Sequence, residues 1–152
     1  MILLEQIGKS LRPSGRRAKL KKEKPLETAL RHFAGSSTTV QQRKVLYALR
    51  CAFAHEYGLF NRGYDREKVY RRVFRLDDNP LAPLIKWPAR PWSGDYKLAN
   101  STASTTVGIV AVGNICEEVV KSVRVHSMRG ELRGIIPIRE LQKRFGFSVE
   151  HG

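Results

Sequence analysis

Apolar residues recur at helical spacing in two long stretches, and a denser β-branched segment lies between them. From Val40 onward, Val45, Leu46, Leu49, Ala52 and Phe53 fall at i, i+1, i+4, i+7 and i+8, one stripe of a helix that Gly58 ends. Thr39 precedes this helix and Gln42 lies three residues on, the spacing of a capping box. A second stripe runs through Val112, Ile115, Cys116, Val119, Val120 and Val123, in a helix expected over 107–128 and stopped by Gly130. Two shorter helices are predicted. Pro25 suits a first helical position, with Leu26, Leu30 and Phe33 sharing a face before Gly35; Pro137 opens another, Ile138 to Phe145, closed by Gly146. In the middle, Val69 to Leu76 reads as a strand, Asp77-Asp78-Asn79-Pro80 as a turn, Leu84 to Trp87 as a return strand, and 88–101 as loop. The pattern predicts a mainly α chain, a helical bundle with a β-hairpin at about 68–87 inserted between the two main helices.

Charge changes this picture. The 152 residues include 28 Lys and Arg against 14 Asp and Glu, a formal charge of +14. Such a surplus attracts polyanions, and RNA is the expected partner. Eight of the basic residues lie in 1–24, against Glu5 and Glu23. That segment is expected to be a flexible basic arm, with a helical turn or two in 1–11, ahead of a single domain over 25–152. The domain is basic in its own right. Arg62, Arg66, Lys68, Arg71, Arg72 and Arg75 alternate with Tyr64, Tyr70 and Phe74. This arrangement fits an RNA-tracking surface with base-stacking aromatics, and equally a strand with a solvated basic face.

Several chemistries are excluded. No phosphate-cradling glycine loop, Gly-x-Ser-x-Gly turn or His-Glu-x-x-His pair is present. Cys51 and Cys116 form no disulfide framework, no Cys/His spacing suits zinc, and Asp77-Asp78 belong to a turn. No metal and no cofactor is expected. No apolar run is long enough to span a membrane, so the expected setting is cytoplasmic and reducing.

What remains is the end of the Val40 helix, Leu49-Arg50-Cys51-Ala52-Phe53-Ala54-His55-Glu56-Tyr57-Gly58. Arg50 offers a planar fork of donors for phosphate, His55 can exchange a proton near neutrality, and Tyr57 can donate to or stack on a nucleotide. A base for the ribose 2′-hydroxyl and a cation for the phosphate are the minimum for cutting RNA without a metal. Arg50 and His55 are five apart, turned by about 140° on a regular helix. They therefore converge poorly in one chain, and a twofold dimer is the expected way to bring them together. A plainer reading pairs Arg50 with Glu56 or with a residue of another helix, and leaves His55 as a helix-terminal histidine.

Arg50-x4-His55-x-Tyr57 resembles the R-x4-H-x-Y signature of HEPN domains, and 107–147 is loosely similar to the closing helices of such domains. The resemblance implies a dimeric helical bundle with motif residues of both protomers in one cleft. It implies a metal-independent endoribonuclease, toxin-like or linked to stress and defence, with Arg50 on the phosphate, His55 as acid–base residue and Tyr57 beside them. It allows an antitoxin or other protein partner. The alternative within the family is a non-catalytic module that binds nucleic acid or a protein.

Overall fold

The computed structural model describes residues 1–13, 23–55, 58–61, 70–98 and 102–134. In chain order they form α1 (Ile2–Ser10), β1 (Leu11–Pro13), α2 (Pro25–Phe33), α3 (Val40–His55), β2 (Phe60–Asn61), β3 (Arg72–Asp77), β4 (Ile85–Lys86), β5 (Ser104–Gly108), α4 (Ile109–Met128) and β6 (Leu132–Gly134), with short 3-10 turns at Gly35–Ser37 and Tyr96–Leu98.

The helices begin for the reasons the sequence suggests. Pro25 opens α2, where its missing N–H costs nothing. The capping box ahead of α3 is formed: Gln42 N–H donates to Thr39 Oγ1 at 3.2 Å, and Thr39 N–H to Gln42 Oε1 at 2.8 Å. Val45, Leu46, Leu49 and Ala52 are buried, while Phe53 is exposed. The end of α4 follows expectation, with Gly130 at φ +66° just beyond it.

The fold class needs correction. The chain is a mixed α/β fold with four helices and a four-stranded sheet among the described residues, and is not a helical bundle carrying a hairpin. Strand order is β2-β3-β5-β4. β3 and β4, expected to pair with each other, are separated by β5, which runs parallel to β3 and antiparallel to β4. The reason lies in Ser104-Thr105-Thr106-Val107. Its β-branched run favours a pleated strand, and its two buried faces give it the central position. The stretch from Val107 was expected to be helical; the helix instead starts at Ile109. Gly108 makes the change of direction, and a Cβ there would lie 2.7 Å from the Pro83 carbonyl oxygen.

The sheet's inner face (Phe74, Ile85 and Val107) packs with Leu26, Leu30, Val45, Leu49 and Val119 in one main core. The N-terminus belongs to this core as well. Residues 2–10, assigned from sequence to the basic arm, form a helix that buries Leu4 and Ile7. Helix α1 meets the start of α2 so closely that a Cβ on Gly8 would lie 1.7 Å from the Pro25 carbonyl oxygen. A short antiparallel pairing of β1 with β6 ties this end to the chain beyond α4. The expected helix Ile138 to Phe145 and residues 14–22 of the arm lie outside the described residues.

Candidate functional site

Arg50 and His55 lie in the last turns of α3, where Arg50 also meets Glu5 of α1. Arg50 reaches across the turn, so five positions along the helix do not keep it from His55. Its Nη1 lies 3.1 Å from His55 Nε2. The angular separation of the two Cα–Cβ vectors is outweighed by the length of the arginine stem, and one chain suffices to bring the pair together. Guanidinium nitrogens only donate, so Nε2 would accept in this contact. Tyr57 lies outside the described residues.

A residue that the motif does not include completes this arrangement. Glu5 of α1 accepts from Arg50 Nη2 at 2.7 Å, and Lys9 stands 3.3 Å from the other Glu5 oxygen. The side chains of Arg50 and Glu5 are only 21% and 12% exposed, so this pair is largely shielded from water. Among the described residues, Arg50 Nε is buried without a hydrogen-bond partner. One turn earlier, the Tyr47 hydroxyl is pushed well above the usual phenol range, first by burial and then by the neighbouring Cys51 side chain. Glu5 gave no sequence signal, because the contact joins residues 45 positions apart in the chain. His55 itself is exposed at the end of α3.

The basic segment after the motif is divided by the fold. Arg62, Arg66, Lys68 and Tyr64 lie outside the described residues. Arg71 and Arg72 serve the architecture. Arg71 donates to the Ser93 carbonyl at 2.9 Å, and Arg72 donates to the Arg71 carbonyl at 3.0 Å with its guanidinium pKa lowered by burial. Tyr70 and Phe74, read as base-stacking aromatics, are core residues. The Tyr70 hydroxyl donates to Glu27 at 2.9 Å. Arg75 alone among the three described arginines is exposed on the sheet.

The outer face of the sheet has a covered half and an open half. Trp92 packs on Val73 and Ala103, with Phe60 and Tyr96 around it, and its indole N–H donates to the Asp95 carbonyl at 2.8 Å. Beyond that lid the sheet carries an open cavity of about 340 Å³, lined by Arg75, Leu76, Asp77, Asp78, Lys86 and Thr106. Trp87, by contrast, is half exposed.

Among the described residues no group of three or more His, Cys, Asp or Glu is placed to hold a metal, and no helix is long and apolar enough to cross a membrane. No protein-family model, curated protein or solved structure matches the chain.

Proposed function

We propose that the protein binds RNA and cuts it without a metal at the Arg50–His55 pair. The observation that carries this reading is the 3.1 Å contact between a guanidinium and an exposed imidazole in a chain of net charge +14. The R-x4-H-x-Y motif resemblance points the same way. In this reaction His55 takes the proton of a ribose 2′-hydroxyl, and the 2′-oxygen attacks phosphorus. The bond to the 5′-oxygen breaks, and that oxygen leaves with a proton from water, giving a 2′,3′-cyclic phosphate and a 5′-hydroxyl. Arg50 turns from His55 to the phosphate and stabilises the charge building on its oxygens. Glu5 holds the far side of the guanidinium and limits how it can turn. A toxin-like or defence role, and a twofold dimer, follow as further proposals from the motif.

A second reading has its own support. The shielded 2.7 Å pair with Glu5 commits Arg50 to the fold, which suits a non-catalytic module that binds nucleic acid through other residues. Incubation with mixed RNA in excess EDTA separates the two. Cleavage that persists in chelator, yields cyclic phosphate ends and vanishes in His55→Ala supports catalysis. Unchanged RNA with wild type and variant, despite equal binding by both, supports the binding module.

A further inference from the structure

The open half of the outer sheet face carries a row of side chains in register across three strands. Arg75 of β3 pairs with Thr106 of β5, and Thr106 pairs with Lys86 of β4. Residues paired in register project from the same face, and all three line the 340 Å³ cavity. Strand spacing puts the Cα atoms of Arg75 and Lys86 roughly 10 Å apart, with the threonine hydroxyl between them. Both cationic side chains are long enough to close on one group held over Thr106. Both are exposed, and neither has an ion-pair partner among the described residues. The cavity lies toward the carboxyl ends of the parallel pair β3–β5, the side of such sheets where ligands gather.

The same cavity is also lined by acid. Asp77 and Asp78 follow at the end of β3, and Asp77 Oδ1 accepts the Asn79 N–H at 3.0 Å. Two cations and two carboxylates make a poor receptor for a bare phosphate, because the carboxylates repel it. They suit a ligand with an anionic end and a hydrogen-bond-donating end. A nucleotide has both: phosphate oxygens for Arg75, Lys86 and the Thr106 hydroxyl, and base amino or imino groups for a carboxylate. The volume is within the range of small-ligand pockets. The geometry points to a nucleotide-binding site on the outer sheet face, with the phosphate on the Arg75–Thr106–Lys86 row and the base toward Asp78. The nucleotide comes either free or as one unit of an RNA strand. This rests on the reading that the protein binds RNA, and it moves the main contact away from Arg50.

The test uses the full chain with 2′-O-methylated single-stranded RNA, which binds but cannot be cut, and separately with GMP and inorganic phosphate. Arg75→Ala and Lys86→Ala are each expected to weaken RNA binding about five- to tenfold. Each should also reduce the slope of log affinity against log salt by about one, whereas Lys121→Ala on α4 changes neither. GMP is expected to bind more tightly than phosphate, with Asp78→Asn removing that difference. Binding of the strand but not GMP by the same row identifies RNA as the source, and binding of both identifies the nucleotide unit itself. Wild-type affinity and salt slope in the Arg75→Ala/Lys86→Ala double variant overturn the inference, as does phosphate binding as tightly as GMP. If that double variant still cuts unmodified RNA with normal affinity and His55→Ala does not cut, this site falls and the proposed cleavage stands. If the row binds RNA that is never cut, the site stands and the cleavage falls.

Discussion

The helical layer and the open sheet face both carry charge, but they use it differently. In the helical layer several of the described charges are committed to neighbours. Glu23 accepts from Arg31 at 2.9 Å, Glu27 accepts from Tyr70, Arg43 donates to the Thr38 carbonyl at 2.7 Å, and Arg50 is held by Glu5. Burial makes such pairing obligatory, since an unpaired buried charge costs more than the pair returns. On the sheet, Arg75 and Lys86 sit in water, where a cation needs no partner. The surplus of basic residues is therefore not one property. Part of it holds helices together, and the part free to meet a ligand is smaller than the sequence total suggests.

Four tests probe that contrast, taken from the largest expected effect to the smallest. Gly8→Ala drives a methyl group into the Pro25 carbonyl and should cost about 3 kcal/mol in urea unfolding, because the helical layer is closely fitted there. A loss under 1 kcal/mol shows instead that α1 is free to shift. Glu5→Ala strands the half-buried Arg50 guanidinium and should cost about 2 kcal/mol, with a double-mutant cycle against Arg50→Ala giving a coupling of similar size. Additive single effects break the picture of a committed pair.

Glu27 supplies a test in pH. Its pKa is raised above 4.5, first by burial and against the opposing hydrogen bond from Tyr70. A carboxyl with a raised folded pKa binds its proton more tightly when folded. Its contribution is fully present below the unfolded value and is lost as pH rises through the folded one. Wild type should therefore lose stability relative to Glu27→Gln as pH rises above 4.5, read as diverging unfolding midpoints. Parallel curves remove Glu27 from the account. The smallest change belongs to the other region. Arg75→Ala and Lys86→Ala should move stability by less than about 0.5 kcal/mol, and a larger loss means these cations also hold the fold.

The local features of this fold were legible in its sequence, and the long-range ones were not. The Thr39–Gln42 capping box, Pro25 at the start of α2 and Gly130 beyond α4 act over a few residues, so spacing alone displays them. Val69 to Leu76 gave the position of a strand, but strand character does not name a partner. That β5 enters between β3 and β4 is decided by burial on both faces, and its short run merges in sequence with the helix that follows. The candidate site divides the same way. Arg50 and His55 stood out as residue types, yet the helical-wheel angle misjudged their distance because it ignores side-chain length. Glu5, Thr106 and Lys86 gave no signal, since each acquires its neighbours from an element distant in sequence. A basic run likewise does not reveal which members bond to the chain's own backbone, as Arg71 and Arg72 do.

The order of strands also bears on how the chain is made. A growing polypeptide leaves the ribosome from its N-terminus, so β3 and β4 emerge before the strand that joins them. Until residues 104–108 appear, both present open backbone to whatever is near, including other nascent chains. The long connection before β5 prolongs that interval. Fusions or truncations ending ahead of residue 104 should accordingly be prone to clump, whereas those ending after α4 can close the sheet before release.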